Sequence, residues 1–233
     1  MVHLGIIPDG NRRWCKINSK KYNYLLNHWL NNMIIKNICY FIDCKQEYKE
    51  LYSINELSIY VSSIDNITRD DKTFELGYKL IRLLYIIYQN CETIFKEKYR
   101  VELNRLSKKI KLNIIGNIEL LPEDIQIILR YFKNCLNNNH NEYTCVINIA
   151  IAYDYKNDLL NDVVHSNINY ERHQSDIDIV FRSGEEKRIS GFFPTKILYS
   201  ELYFSDKLFP DITLDDINDS LIYLKKRSRR YGK

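Results

Sequence analysis

The fold is decided near the start of the chain by the stretch HLGIIPDGNRRWCK, residues 3–16. Its apolar part, residues 4–7, is short and rich in β-branched side chains, which is typical of a buried strand. A turn-forming glycine, polar side chains and an arginine pair follow at once; these are Asp9, Gly10, Asn11, Arg12 and Arg13. Ligands of parallel α/β sheets gather where strands end, so this junction is the first candidate functional site.

Strand-like and helix-like segments alternate along the rest of the chain. Apolar residues recur at helical spacing over residues 24–42 and 73–98, Pro122 opens another helix, and a last helix starts near Thr213 and Asp215. Further apolar runs have the composition of strands; they are residues 57–63, 110–117, 144–154, 176–184 and 200–205. This alternation predicts an α/β fold with a central, mainly parallel six-stranded sheet flanked by helices.

Length and composition describe an ordinary globular protein. The 233 residues include 45% hydrophobic and 27% charged side chains, and no repeat, linker or break in composition divides them. We therefore predict a single domain over residues 1–233. The net charge of +4 permits an anionic ligand and does not require nucleic acid as a partner.

The cysteine pattern predicts a reducing compartment. The six cysteines form no Cys-x-x-Cys pair and lie near no histidine cluster at zinc spacing, so we expect free thiols. No apolar run reaches the roughly 20 residues that span a bilayer, and we expect no signal peptide before His3. These features predict an intracellular, cytoplasmic protein, with peripheral association with a membrane as the alternative.

The residues after the first strand have the chemistry to bind a magnesium diphosphate. Gly10 allows a tight turn and the close approach of a ligand. Asp9 offers a carboxylate to Mg²⁺, which proteins bind through one or two carboxylates together with phosphate oxygens of the substrate. Arg12 and Arg13 carry planar guanidinium groups suited to phosphate. Taken alone, an ordinary turn with a solvated arginine pair is the more common explanation of such a stretch.

A second stretch, residues 178–211, shifts the balance towards an anion-binding site. Just after an apolar strand it has two arginines and two serines around Gly184; these four residues are Arg182, Ser183, Arg188 and Ser190. Glu201 follows on a short strand-like segment. Two anion pockets and two separated carboxylates in one small domain are hard to explain as devices for solubility.

These stretches together resemble the motifs of the cis-prenyltransferases, the family of undecaprenyl and dehydrodolichyl diphosphate synthases. HLGIIPDGNRRW (residues 3–14) is similar to the first motif of the family, and residues 178–211 are similar to the last. Four shorter blocks also match; they are IYVSSIDNITR (59–69), KLNIIGN (111–117), VINIAIAYD (146–154) and RSRRYG (227–232). The blocks occur in the family's order over nearly the whole chain, which makes the set far more specific than any one block.

The resemblance implies a fold, a reaction and partners. The family fold is a central parallel sheet with surrounding helices and a hydrophobic tunnel, usually in a homodimer. Its reaction condenses isopentenyl diphosphate with an allylic diphosphate such as farnesyl, geranyl or dimethylallyl diphosphate. The product is a Z-polyprenyl or Z-oligoprenyl diphosphate, and Mg²⁺ is the cofactor. The lipid product is the reason to expect peripheral membrane association.

The resemblance also assigns catalytic and metal-binding roles to residues at matching positions. Asp9 would be the essential Mg²⁺-associated carboxylate, and Glu201 would be the second. Asn11 and Asn66 would act with Asp9 in catalysis, and Ser63 would line the reaction centre beside Asn66. The proton acceptor stays open between the diphosphate itself and these two asparagines acting through water.

Two sets of residues would bind the substrates. The allylic diphosphate would be bound by residues of the first motif, the first long helix and the middle block, namely Gly10, Asn11, Arg12, Arg13, His28 and Arg69. Isopentenyl diphosphate would be bound by residues of the last motif, namely Arg182, Arg188 and Ser190.

The chain departs from the family pattern at several positions of this site. Arg12 replaces a glycine, which adds positive charge beside the allylic site. Tyr24 stands where a helix arginine is usual, and Lys20, Lys21 or Arg12 could replace that phosphate contact. Glu185 stands where a second glycine is usual. The core set of acidic and basic residues is intact, so we expect an active enzyme with an altered substrate preference.

Two alternatives to a catalytic subunit stay open. One is a non-catalytic partner subunit of a heteromeric prenyltransferase; such subunits typically lose the motif aspartate and phosphate arginines, whereas Asp9, Arg182 and Arg188 are present here. The other is a basic module that binds nucleic acid or anionic lipid through the tail KKRSRRYGK, residues 225–233, which would show strong salt dependence. The match of this tail to the Arg-x-Gly ending of the family favours a role near a partner's active site.

Overall fold

The computed structural model describes residues 2–21, 24–25, 54–68, 73–90, 108–137, 143–165 and 175–227. Within them the strands are β1 (Val2–Ile7), β2 (Ile54–Tyr60), β3 (Ile110–Ile115), β4 (Cys145–Ala150), β5 (Ile179–Arg182) and β6 (Glu201–Phe204). They form one sheet in the order β3-β4-β2-β1-β5-β6, and every neighbouring pair is parallel. The predicted α/β fold with a six-stranded, mainly parallel sheet is confirmed.

The helices of the described residues connect or follow these strands. They are α1 (Asn11–Ile17), α2 (Ile64–Thr68), α3 (Thr73–Gln89), α4 (Glu123–Asn137), α5 (Tyr155–His165) and α6 (Leu214–Lys226), with 3₁₀ turns at Ile118–Leu120 and Phe209–Asp211. The predicted helix over residues 24–42 lies almost entirely outside the described residues. The short helices α1, α2 and α5 were not predicted, because none of them carries a long apolar stripe.

The last helix begins where its capping residues predict. Thr213 is the N-cap of α6, and its side chain accepts a hydrogen bond from the backbone N–H of Asp216. In return the Asp216 carboxylate accepts a hydrogen bond from the Thr213 backbone N–H at 2.8 Å. This reciprocal pair is a capping box, which satisfies donors that a helix start leaves unpaired. No helix in the described ranges has the length and apolar character needed to cross a bilayer.

The alternation of side chains along the strands gives the sheet two different faces. On one face Leu4, Ile6 and Phe181 pack against Ile217 and Leu221 of α6. Further along the same face, apolar residues of β3 and β4 pack against α4; these are Ile110, Leu112, Cys145, Ile147, Phe132 and Leu136. Burying these side chains holds α4 and α6 on the sheet and leaves the carboxyl ends of the strands to the connecting loops.

The other face of the sheet carries a buried group of hydrogen-bonded polar residues, which we call the sheet network: His3, Glu56, Ser58, Asn148 and Ser175. The His3 ring contacts the Ser58 hydroxyl through Nε2 at 2.7 Å. Asn148 donates to Ser58 Oγ at 3.0 Å and to Glu56 Oε1 at 2.7 Å, and Ser175 Oγ donates to Glu56 Oε2 at 2.7 Å. Burial lowers the pKa of His3, although the nearby Glu56 carboxylate acts in the opposite direction.

Candidate active site

The register of the central strands places the two predicted anion-binding loops side by side. Ile7, the last residue of β1, pairs with Arg182, the last residue of β5. Beyond that pair the loops are joined through Ser183, whose hydroxyl accepts a hydrogen bond from the Asp9 backbone N–H at 3.0 Å. The same hydroxyl donates to the Asp9 carbonyl oxygen at 2.9 Å. The loop that follows β1 and the loop that follows β5 therefore lie side by side at the carboxyl edge of the sheet.

The Asp9 carboxylate lies between two guanidinium groups at this edge. Its Oδ2 is 2.8 Å from Arg182 Nη2, and its Oδ1 is 3.8 Å from Arg13 Nη2. The backbone N–H of Gly10 also donates to Asp9 Oδ1, at 2.6 Å. The Asp9 side chain keeps 34% of its surface exposed, so one side of the carboxylate stays open to a ligand. We call Asp9, Arg13, Arg182, Ser183, Gly184 and Ser190 the strand-end site.

Arg182 is the buried arginine of the strand-end site, with only 4% of its side chain exposed. Its Nη1 donates to Ser190 Oγ at 2.8 Å and also contacts the Arg188 carbonyl oxygen. Its Nε is buried and has no hydrogen-bond partner among the described residues. A buried guanidinium N–H without an acceptor is costly, so a bound anion or water would complete its hydrogen bonding.

Glycine conformations allow the two loops to approach each other closely. Gly184 has φ +90°, and a Cβ placed on it would lie 2.9 Å from the backbone carbonyl carbon of Asp9. Gly10 has φ +99°, and a Cβ there would lie 2.7 Å from Cδ2 of Leu208. Both positions combine the left-handed backbone region with a close backbone or side-chain contact, so they favour glycine.

Asn11 and Asn66 have different surroundings in the structure. The Asn11 side-chain amide donates to the Pro8 carbonyl oxygen at 3.1 Å, and its Oδ1 is buried without a partner among the described residues. Asn66 Oδ1 instead accepts from both the backbone N–H and the hydroxyl of Ser63, each at 3.0 Å. Asn66 therefore supports the start of α2, whereas Asn11 has an acceptor available for water or a ligand.

Tyr60 and Ser190 connect β2 to the loop after β5. The Tyr60 hydroxyl donates to the Ser190 carbonyl oxygen at 3.2 Å, and burial raises the pKa of the phenol. Ser190 has φ +51°, so its backbone is held in the left-handed region while its hydroxyl accepts from Arg182. The sequence did not single out Tyr60. A tyrosine in an apolar strand can either pack in the core or form a hydrogen bond, and its position in the sequence does not say which.

The structure places Glu201 away from Asp9. Glu201 opens β6 and pairs with Ile179, which itself pairs with Leu4 of β1. Asp9 lies beyond the opposite end of β1, and three residues along a strand already span about 10 Å. Glu201 Oε2 is instead 3.2 Å from Arg227 Nε. Within one chain, Asp9 and Glu201 therefore lie towards opposite ends of the sheet, and the metal-binding role of Glu201 stays a prediction.

Of the other residues predicted for the site, Arg188 and Arg12 are described by the structure, and His28 and Arg69 are not. Arg188 lies in the loop after β5, where its guanidinium forms an ion pair with Glu186. Arg12 is the exposed second residue of α1. His28 and Arg69 lie outside the described residues, so their predicted roles stay predictions.

The donor set at Asp9 fits a magnesium ion that is bound mainly by its substrate. Among the described residues no group of three or more His, Cys, Asp or Glu side chains could hold a metal ion without other ligands. A single open carboxylate beside guanidinium groups matches Mg²⁺ that is bound through one or two carboxylates plus phosphate oxygens. Asp9 is the residue of this site that would hold it.

Comparison with known proteins gives one consistent family. A family model described as putative undecaprenyl diphosphate synthase matches residues 7–232. A tritrans,polycis-undecaprenyl-diphosphate synthase (geranylgeranyl-diphosphate specific) of Pyrococcus abyssi is 29% identical over 251 residues, covering 99% of this chain and 86% of that protein. An isoprenyl transferase of Rickettsia typhi is 27% identical, covering 99% of this chain and 97% of that protein.

Solved structures with the same fold are also similar to this chain. Lavandulyl diphosphate synthase from Lavandula x intermedia, solved with dimethylallyl diphosphate, superposes with a TM-score of 0.70 at 21% identity. A probable undecaprenyl diphosphate synthase from Campylobacter jejuni superposes with a TM-score of 0.68 at 19% identity. Each comparison covers 99% of this chain and 98% of the other. At these identities the structures establish the fold.

Proposed function

Since this chain belongs to the undecaprenyl diphosphate synthase family and is a prenyl-transferring enzyme, we propose that it condenses isopentenyl diphosphate with an allylic diphosphate. The product would be a Z-polyprenyl or Z-oligoprenyl diphosphate. The observation that carries this proposal is the open Asp9 carboxylate between Arg13 and the buried Arg182, whose Nε has no acceptor among the described residues.

The strand-end site can stabilise the charge that forms when an allylic diphosphate departs. Cleavage of the allylic C–O bond leaves negative charge on the diphosphate, and guanidinium donors that are already oriented stabilise that charge most effectively. Arg13 is held beside Asp9 by its contact with the Gly184 carbonyl oxygen, so its guanidinium faces the edge where the diphosphate would bind. When bound beside Asp9, Mg²⁺ would add positive charge that stabilises the departing diphosphate.

The loop after β5 has the residues to orient isopentenyl diphosphate. Arg182 holds the Ser190 hydroxyl and the Arg188 carbonyl oxygen, which keeps this loop folded against Asp9. The guanidinium of Arg188 is largely exposed and bound to Glu186, an ion pair that an arriving diphosphate can replace because exposed pairs are weak. We assign Arg182, Arg188 and Ser190 to this second diphosphate.

Asn11 is the best-placed polar group for handling water near the reaction. Its buried Oδ1 has no donor among the described residues, so it can accept a hydrogen bond from a water molecule beside the diphosphate. Loss of a proton from the isopentenyl carbon completes the condensation, and we assign the departing diphosphate as the acceptor, with Asn11 orienting the intervening water. Asn66 is tied to Ser63, which favours a supporting role for it.

We further propose that the enzyme is a homodimer. In the sheet that the described residues form, β6 is an edge strand, and large apolar side chains lie exposed on it and beside it; these include Leu198, Tyr199, Leu202 and Ile222. An exposed edge strand with apolar neighbours is a surface that proteins normally cover. A second copy of the chain is the partner that the family resemblance favours.

One assay tests the proposed reaction. Purified protein is incubated with MgCl₂, labelled isopentenyl diphosphate and one allylic primer at a time, and the products are sized by chromatography. The panel includes dimethylallyl, geranyl, farnesyl and geranylgeranyl diphosphate, the last because the name of the Pyrococcus abyssi relative specifies it. We expect label in prenyl products that require both a primer and Mg²⁺.

A non-catalytic subunit would give a different result in the same assay. Well-folded protein that incorporates no label with any primer, with or without MgCl₂, would contradict the proposed function. A parallel sample of an established prenyltransferase confirms that substrates and detection work.

A further inference from the structure

We propose that Glu185 is an internal competitor of the diphosphate for the Arg13 guanidinium. Its carboxylate pairs with Arg13 and is displaced when the diphosphate binds, which lowers the affinity of the site for that ligand. The inference rests on the proposed function, because that function assigns a diphosphate to Arg13. It adds a residue that sets substrate affinity without taking part in the chemistry.

Glu185 contacts the guanidinium that the ligand needs. Its Oε2 lies 3.3 Å from Arg13 Nη1, and the same guanidinium contacts the Gly184 carbonyl oxygen and approaches Asp9 Oδ1 at 3.8 Å. The Arg13 guanidinium thus lies beside three oxygen atoms of the protein. A diphosphate that binds both Nη atoms of Arg13 competes with these oxygen atoms for the guanidinium, and the Glu185 carboxylate, with 64% of its side chain exposed, is the most easily displaced.

The backbone conformation at Glu185 is unfavourable for a residue that has a side chain. Glu185 has φ +68°, in the left-handed region that favours glycine, and it directly follows Gly184 at φ +90°. Its backbone N–H donates to the Ser205 carbonyl oxygen at 3.2 Å, a bond that a glycine would also form. The contact that only glutamate provides at this position is the one between its carboxylate and Arg13.

The charges at the site explain why this contact matters for affinity. Arg13 and Arg182 carry two positive charges, and Asp9 and Glu185 carry two negative charges beside them. A diphosphate brings further negative charge, so the Glu185 carboxylate both occupies Arg13 and repels the ligand. Exposed ion pairs are weak and screened by salt, which makes this competition modest and dependent on ionic strength.

The test measures binding of inorganic pyrophosphate by isothermal titration calorimetry, with EDTA present to remove metals. Glu185→Gln removes the charge while keeping most of the side chain, and we expect the Kd to fall about two- to fivefold. The difference from the unmodified protein should shrink at high salt. With Mg²⁺ and an allylic primer, the KM of the primer should fall by a similar factor while kcat does not rise.

Two further proteins separate the competition from a general change in charge or structure. Glu119→Gln is the matched control, because Glu119 is also exposed and paired with an arginine, Arg130 at 2.6 Å, and it should leave the Kd unchanged. In an Arg13→Ala background, Glu185→Gln should change the Kd by far less than in the unmodified protein, because the shared guanidinium is gone.

The possible results distinguish this inference from the proposed function. If Arg13→Ala binds pyrophosphate as tightly as the unmodified protein, the assignment of a diphosphate to Arg13 fails. If binding depends on Arg13 but Glu185→Gln binds equally or more weakly, the competitor role of Glu185 is refuted while the proposed function stands. Tighter binding that persists unchanged in the Arg13→Ala background also refutes the competitor role.

Discussion

The strand-end site and the sheet network are two polar regions at opposite ends of the same strand, β1. In the sheet network, polar side chains from β1, β2 and β4 meet and satisfy one another, and His3, Ser58 and Asn148 are each almost fully buried. At the strand-end site Arg182 Nε, and beside it Asn11 Oδ1, are buried without partners among the described residues. A complete network stabilises the fold, whereas an incomplete one is ready to bind a ligand.

The backbone conformation also differs between the two regions, being regular in the sheet network and unusual around the strand-end site. Strand residues of the sheet network have regular extended pairing with their neighbours. Around the strand-end site, Gly10, Gly184, Glu185 and Ser190 all have positive φ. Unfavourable backbone conformations persist where the surrounding structure holds them, and they concentrate at functional sites. The comparison predicts that changes at the strand end impair activity and that changes in the network impair stability.

The largest expected effect is the loss of activity in Asp9→Asn. The change removes the carboxylate that lies between Arg13 and Arg182, and we expect kcat/KM to fall about 10²- to 10³-fold. Steady-state kinetics with isopentenyl diphosphate and the best primer measure the loss, and circular dichroism verifies that the protein is folded. Asp215→Asn, at an exposed residue of α6, is the control. Near-normal turnover of folded Asp9→Asn would remove Asp9 from the mechanism.

Gly184→Ala should impair both activity and stability. The new Cβ would lie 2.9 Å from the Asp9 carbonyl carbon at a φ of +90°, so the loop holding Asp9 must shift. We expect activity to fall about 10- to 100-fold and the protein to lose about 1–3 kcal/mol of stability. Gly77→Ala is the matched control, because a Cβ there meets no atom within 4 Å and the residue lies inside α3. Equal activity and stability of the two variants would show that function does not need the close approach of Gly184 to Asp9.

Ser58→Ala should impair stability and spare activity. The change leaves the His3 ring and the Asn148 amide each short of a buried partner, which should cost about 1–3 kcal/mol in the free energy of unfolding. Urea denaturation measures this cost, and kcat per folded molecule should stay within about twofold. Ser220→Ala, which removes a buried hydroxyl bonded only to the Ile217 carbonyl oxygen, should cost less. A large loss of kcat in folded Ser58→Ala would contradict the expectation that the sheet network contributes to stability and not to activity.

The smallest expected effect is a pH dependence of stability that comes from His3. Burial lowers the pKa of His3 in the folded protein, whereas the unfolded chain takes up the proton near pH 6.5. The unfolded state therefore binds more protons below about pH 6.5, and stability falls as the pH is lowered through that range. The loss is bounded by about 1.4 kcal/mol for each pKa unit of the difference.

His3→Gln isolates this contribution from those of other histidines. The variant should be less stable at neutral pH, because glutamine cannot reproduce the contacts of the ring with Ser58 and Ser175, but its stability should fall less steeply below pH 6.5. Denaturant unfolding at several pH values measures both slopes. Parallel slopes for the two proteins would show that His3 does not titrate differently on folding.

The sequence was informative about elements and about the chemistry at strand ends. The apolar run of β1 followed by Asp9 and Gly10, and the run of β5 followed by Arg182 and Ser183, located both halves of the strand-end site. It could not show that Ser183 joins the two loops or that Glu185 contacts Arg13, since both contacts depend on the distance between segments more than 170 residues apart. His28 and Arg69 lie outside the described residues.

The case of Glu201 shows what a motif leaves open. The last motif contains both Arg182 and Glu201, and the sequence alone does not say whether the two side chains lie at the same end of the sheet. Strand register separates them, because Arg182 ends β5 while Glu201 begins β6. Register depends on packing across the sheet and cannot be read from one strand by itself.

The order of apolar strands, helices and polar strand ends along the chain determined that this protein has a parallel α/β sheet and predicted a site at the carboxyl edge of that sheet, because these are local properties of sequence. Only the tertiary structure decided that β1 and β5 are neighbours in register, which places Asp9 against Arg182 and leaves Arg13 beside Glu185. Which strands become neighbours, and in which register, depends on packing across the whole sheet, and the sequence of one strand does not determine it.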